Sequence, residues 1–397
     1  MVGWRWALAA SVSVVAVGGA APGLAATQTT VDCGTGANLQ ASIDAAKAGT
    51  ILAISGTCQG TFNIGKNLVL KGVSGAVLDG QQGGTTLTVS AGAVRVTNLT
   101  VTGGSAEDAG AGIQNAGTLT LVRVTVQGNE GLDDAGGIEN HGTLLMQRSI
   151  VTHNLSDNGG IWNLGSATME QSSVSFSGGT GILNGGFFGS SPSASFTIVD
   201  STVSNNRSMP QAGGIWNLAG SVVVVRSTIA NNSSGNSAGG GIDNRGTLTV
   251  VSSTISGNLA DEGGAGIINF ASATLTGTIL AGNFDSNDGI TAEDCAGRIT
   301  SRGYNLLGRP CAASTTATDV PVTNHPLLKV LGKYGGPTQT MVPRPHSPAV
   351  NAIPIGATSS DGATPLCPAS GTTDQRGIPR PQSGACDIGS VERKPKE

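Results

Sequence analysis

The 397-residue chain carries a net charge of −4, with 12 % charged residues, 3 % aromatics and 62 glycines. So sparse and slightly acidic a charge gives no basic patch of the kind that neutralises phosphates, which excludes nucleic acid as a partner. Glycine at more than twice its usual share of about 7 % argues against ordinary globules. Small and β-branched residues in this proportion suit short strands joined by tight turns.

In chain order, the first feature is an address. Arg5 precedes an apolar run over residues 7–17, then Gly18, Gly19 and Pro22, with Ala25 and Ala26 as small residues for cleavage. That is the order of a secretory signal over residues 1–26. The run is short for a span of roughly 20 residues. The mature chain is therefore expected outside the cytoplasm, secreted and monomeric, with no transmembrane segment. Six cysteines come after it: Cys33, Cys58, Cys295, Cys311, Cys367 and Cys386. An even count in an oxidising compartment predicts disulfides. Couples 33–58, 295–311 and 367–386 each close a short loop near an end of a repetitive body. The sequence has no C-x-x-C spacing to suggest a metal instead.

Residues 38–48 place Leu39, Ile43 and Ala46 at helical spacing, and Gly49 stops the run. This predicts an amphipathic helix that caps the first strands of that body. Residues 51–54, 68–70 and 87–89 alternate as short strands. From Ile113 onward one unit dominates, Gly-Ile-x-Asn, centred on Ile113, Ile138, Ile161, Ile182, Ile215, Ile242 and Ile267. The isoleucines step by 25, 23, 21, 33, 27 and 25 residues. Segments of the type Gly-Thr-Leu-Thr-Val occur at 117–121, 142–146 and 246–250. Segments of the type Ser-Thr-Ile-x-x-Asn occur at 201–206, 227–232 and 253–258. Three alternating strands in about 25 residues cannot enclose a core alone. Stacked on copies of themselves they can, advancing about 4.8 Å per coil. The fold class is all-β, a right-handed parallel β-helix with an N-terminal capping helix, over residues 27–300. Asparagines at the corners predict a ladder of amides. Glycines mark corners that need positive φ or close backbone approach. The extra length between Ile182 and Ile215 predicts a surface loop at 185–195. Beyond residue 300 the repeat fades and proline rises.

The helix-then-strand entry, the Gly-Ile-x-Asn units and residues 99–104 resemble pectin-lyase-like β-helix proteins. The C-terminal region, residues 301–397, is more specific. Gly303-Tyr304-Asn305-Leu306, Gly335-Gly336-Pro337-Thr338-Gln339-Thr340, Asp374-Gln375-Arg376-Gly377 and Asp387-Ile388-Gly389-Ser390-Val391-Glu392 resemble the choice-of-anchor Q domain of exported bacterial proteins. Asn351 stands where that pattern usually has Asp. The run Arg393-Lys394-Pro395-Lys396-Glu397 is not a sorting signal, which favours release over anchoring. The resemblance implies a location and no reaction.

Candidate chemistry lies on the lateral faces. β-Helix lyases need an acidic Ca²⁺ cluster with a basic residue, and related hydrolases need paired carboxylates. Loops before the Gly-Ile-x-Asn units carry Glu107, Asp108, Asp133, Asp134 and Asp157. Stacked loops would set Asp133, Asp134 and Asp157 in a ridge, with Ca²⁺ as the cation that oxygen ligands would take. The x position of Gly-Ile-x-Asn points outward and carries Gln114, Glu139, Trp162, Leu183, Trp216 and Asp243. Trp162 and Trp216 can stack on sugar rings while Glu139 and Asp243 bond hydroxyls. The competing expectation is that both tryptophans pack under the 185–195 loop. Arg123, Arg148, Arg226 and Arg245 are basic candidates, and His141 and His153 read as surface residues. Asp374, Arg376 and Asp387 read as a structural group closing the C-terminal region. The expected function is a secreted, non-catalytic β-helix that binds a polysaccharide or cell-surface glycan along its lateral face. The alternatives are a Ca²⁺-dependent polysaccharide lyase or glycoside hydrolase, and a structural or adhesive spacer.

Overall fold

A computed structural model describes residues 27–397 apart from 210, 236–238, 312–315, 324 and 396. The secretory-signal expectation for residues 1–26 lies outside the described residues. The chain winds as a right-handed β-solenoid of about 11 turns. Among the described residues it builds three long parallel sheets of 10, 12 and 11 strands, one along each face, with shorter parallel ladders of four and two strands beside them. One coil shows the pattern: Ile113–Asn115 on the first face, Thr118–Val122 on the second, Thr125–Gln127 on the third. Each pairs in register with its counterpart one coil on, Ile138–Asn140, Thr143–Gln147 and Ile150–Thr152. Strict alternation turns Leu119, Leu121 and Val126 inward, where they are buried with Ile113. Like residues stack on like, so every coil adds the same apolar cross-section to one continuous core.

The corners are closed by side-chain ladders. Asn115, Asn140, Asn163, Asn184, Asn217, Asn244 and Asn269 are joined Nδ2 to Oδ1 at 2.6–2.9 Å. A second ladder runs Asn206, Asn232, Asn258, Asn283 at 2.9–3.0 Å and ends on Asp294 at 2.8 Å. A ladder of serines, absent from the sequence expectation, runs through Ser149, Ser172, Ser201, Ser227 and Ser253. Each backbone N–H there donates to the next hydroxyl at 2.9–3.1 Å. These bonds satisfy backbone groups that the turns remove from the sheets. The repeat glycine before each isoleucine serves close approach: a Cβ at Gly137 would lie 2.3 Å from the Gly160 carbonyl oxygen. The left-handed corner between second and third faces is held instead by Asn98, Arg123, Arg148, Gln171, Asp200, Arg226 and Ser252, with φ of 44–56°.

Both ends are covered, as stacked strands require. Helix Leu39–Ala45 buries Leu39 and Ile43 on the first coil, with Asn38 as its N-cap. Strand Gln28–Asp32 extends the second face beyond Ile51–Ser55, and Cys33–Cys58 ties it down. At the far end Cys295–Gly297, Thr300–Ser301 and Leu306–Leu307 complete the three faces. Cys295 takes the slot of the stacked isoleucines, opposite Ile267, and bonds Cys311. Cys367–Cys386 staples the C-terminal segment.

That segment turns back along the third face. Gln375 Nε2 donates to Ser201 O and Thr202 Oγ1, and its Oε1 accepts from Thr228 and Thr340. Ser390 reaches Thr228 and Thr254. Ile353, Leu366 and Ile388 form a second core with Ile279 and Leu306. Arg376 pairs with Asp374, both side chains fully buried, and with Glu397. Asp387 is not part of that pair. It accepts from the Asn351 and Arg393 backbone N–H groups, while Arg380 pairs with Glu392.

Candidate functional site

Perfect register makes the x position of Gly-Ile-x-Asn a straight column: Gln114, Glu139, Trp162, Leu183, Trp216, Asp243, Ile268. Adjacent members are one strand spacing apart, about 4.8 Å. All point away from the core, as expected, yet three are covered: Glu139 is 4 % exposed, Leu183 0 % and Asp243 3 %.

Leu183 is covered by the 185–195 loop. Phe187 enters between Trp162 and Trp216, edge-on to both rings at 5.7 and 5.8 Å. Trp162 Nε1 donates to Gly185 O at 3.0 Å and fixes the base of the loop. Trp216 Nε1 is buried without a partner. Both tryptophans thus pack with the loop, and both stay partly exposed, as does Phe187. The expectation that they pack under the loop describes what the structure shows, and part of each ring stays open.

Glu139 and Asp243, which the sequence offers to a ligand, are both buried. Each is buried by the residue two positions on, which lies on the same outward side. Glu139 Oε1 lies 2.5 Å from His141 Nε2 and Oε2 accepts from Gly110 N–H at 2.8 Å. Asp243 takes Arg245 at 3.3 and 3.2 Å. Burial raises the Asp243 carboxyl above its ordinary range, against the lowering by Arg245. The Arg245 guanidinium lies over Trp216 at 5.8 Å and over Phe270 at 5.2 Å. The groups presented outward are therefore His141, Trp162, Phe187, Trp216, Arg245 and Phe270. His141 and Arg245 are visible in the sequence, and their bond to the residue two places earlier is the signal that sequence reasoning missed. Phe187 and Phe270 carry no repeat signature at all.

The acidic ridge lies beside the front of this column. Asp134 is raised to about 6, by partial burial first and then by the nearby charges of Glu139, Asp108 and Asp133. Asp133 and Asp157 are exposed. Asn158 Nδ2 donates to Asp133 O and Ser156 Oγ to Asp134 O, so the ridge is tied through backbone carbonyls. Among the described residues no three His, Cys, Asp or Glu side chains come together as metal ligands. The remaining basic candidates are held at the corner of the second and third faces. Arg123 bonds Asn98, Arg148 bonds Gln171 and Arg226 bonds Asp200. His153 stacks on Phe176 at 5.0 Å, away from the column.

Three stacked parallel sheets with a capping helix make a parallel β-helix. Among solved structures the chain is similar to pectate lyase Pel9A, at 16 % identity and a TM-score of 0.53, over 94 % of this chain and 98 % of that one. At that identity the likeness shows the fold alone. No family model and no curated protein matches the chain.

Proposed function

We propose that this protein is an extracellular β-helix that binds polysaccharide along its first face without cleaving it. The observation that carries the reading is the concentration of aromatic rings. Of seven Phe and four Trp in the chain, two Phe and both Trp beyond residue 26 lie on or beside one column: Trp162, Phe187, Trp216 and Phe270. Aromatic faces bind the C–H faces of sugar rings, and the flanking His141 and Arg245 supply donors for hydroxyls. The coil repeat of about 4.8 Å sets these groups in a line, as a linear polymer requires. The three disulfides support an oxidising compartment. The choice-of-anchor Q resemblance of residues 301–397 supports export.

A second reading, a lyase or hydrolase, is favoured by Asp134. A carboxyl held near pH 6 beside Glu139 and His141 is able to carry a proton to a leaving oxygen. One experiment separates the two. The mature protein is incubated with neutral and uronic-acid polysaccharides, with and without Ca²⁺, and both retention and reducing-end release are measured. Retention that is lost in Trp162→Ala and Trp216→Ala, with no new reducing ends, supports the binding reading. Release that disappears in Asp134→Asn overturns it in favour of catalysis.

A further inference from the structure

The second face repeats one outward chemistry over seven coils. Its first outward column runs in register from Thr118 to Ser272, and every member is serine or threonine. Its second column runs from Thr120 to Thr274 and is threonine apart from Leu145 and Val223. None of these residues is buried. Among the described residues their hydroxyls bond no protein group but one another, Ser195 to Ser166 at 3.2 Å and Thr274 to Thr249 at 3.5 Å. The like hydroxyls of the rear third face, on Thr202, Thr228 and Thr254, are instead buried and bonded by the C-terminal segment.

Both edges of the second face are pinned once per coil. On the entry edge each ladder asparagine donates Nδ2 to the carbonyl of the first-column residue one coil on, from Asn115 on Thr143 to Asn244 on Ser272, at 2.9–3.4 Å. On the exit edge Ser149, Ser172, Ser201, Ser227 and Ser253 donate Oγ to the carbonyl of the last strand residue at 2.7–3.1 Å. Side-chain ladders of this kind hold a long sheet untwisted. The hydroxyls and methyls therefore form a fixed net, about 4.8 Å from coil to coil and about 6.6 Å along each strand.

The net has no aromatic ring to cover a sugar. Glu170, in the third column, is the one charged outward residue over these coils, so no polyion is matched. Against a ligand dissolved in water each hydroxyl exchanges one hydrogen bond for another and gains little. The exception is a ligand made of water itself. Hexagonal ice presents planes of water molecules in a rectangular net with repeats close to these two. A surface already fixed at lattice spacing binds such a plane without losing conformational entropy of its own. We propose that the second face binds the surface of ice, its hydroxyls taking lattice positions and its methyls filling the gaps between them. This stands apart from the glycan reading, which uses the first face.

The test compares two lysine substitutions at outward strand positions. Thr168 lies within the net, and Thr125 lies on the open front of the third face. Wild type, Thr168→Lys and Thr125→Lys are each assayed for uptake into slowly grown ice and for thermal hysteresis, and Tm is recorded. Wild type and Thr125→Lys are expected to enter the ice and to hold the freezing point below the melting point. Thr168→Lys is expected to stay in the liquid without hysteresis, with Tm within about 2 °C of wild type. Thr249→Lys, in the same column, repeats the test should Thr168→Lys lower Tm further. Wild type that stays in the liquid without hysteresis overturns the proposal. So do net variants that perform as wild type does. Loss in Thr125→Lys equal to that in Thr168→Lys assigns the effect to added charge and overturns it as well.

Discussion

The third face carries the same inward residues along its length and two different outer surfaces. In the front coils Val126, Val151 and Val174 fill the core, and Gln127, Ile150, Thr152 and Ser175 face solvent. In the rear coils Val203, Ile229 and Ile255 fill the same core, and Thr202, Ser204, Thr228, Thr254 and Ser256 are buried beneath the C-terminal segment. Nothing in strand geometry separates the two regions. The difference is a docked segment that reads hydroxyls of these coils through Gln375, Thr340 and Ser390 and packs its apolar residues on Ile279 and Leu306 at the far end. A repeat supplies a regular surface, and a single non-repeating element decides which part of it is open. The coils share their load among many equivalent bonds. The C-terminal segment depends on a few buried groups that have no copy elsewhere.

The largest expected effect tests that dependence. Arg376→Ala leaves the buried Asp374 carboxylate without its counter-ion and with backbone N–H donors alone, at a cost of about 3 kcal/mol. Calorimetry should show the C-terminal segment melting earlier while the coils hold. A single transition that shifts as a whole would mean that segment and coils are one cooperative unit, and the comparison would break.

pH acts at both places. Asp294, at the end of the second asparagine ladder, and Asp387, within the C-terminal segment, are each raised to about 6, chiefly by burial. A folded-state value above the unfolded one of about 3.9 means that the native state holds these protons more tightly. That contribution is complete below about pH 4 and is lost as pH rises through 6, on the order of 3 kcal/mol for each group. Tm should therefore be higher at pH 5 than at pH 7.5. Asp294→Asn extends the asparagine ladder by one member and should flatten this dependence. A steeper one would contradict the burial argument.

The smallest effects compare the two outer surfaces directly. Thr228→Val removes the hydroxyl shared with Gln375, Thr340 and Ser390 and should cost about 1–2 kcal/mol in urea titration. Thr152→Val, at the matching outward face of a front coil, should stay within about 0.5 kcal/mol. Equal costs would show that the docked segment adds nothing to the rear coils.

Sequence alone determined the coil period, the inward set, the Asn115–Asn269 ladder and the capping helix; it favoured the three disulfide pairings, which the folded chain then fixed among the 15 that six cysteines allow. All of these arise from alternation and from spacing along the chain, and a local rule repeated seven times is hard to misread. The outward column was also legible as a column. What faced out of it was not. Glu139 and Asp243 look like ligand groups in the sequence and are taken up by His141 and Arg245. Trp162 and Trp216 are shaped by Phe187 from a loop outside the repeat. The covering of the rear third face depends on Gln375, which meets Ser201 from 174 residues away. Periodicity fixes which side chains point outward. What meets them there is decided by segments without period, whose positions only the folded chain sets.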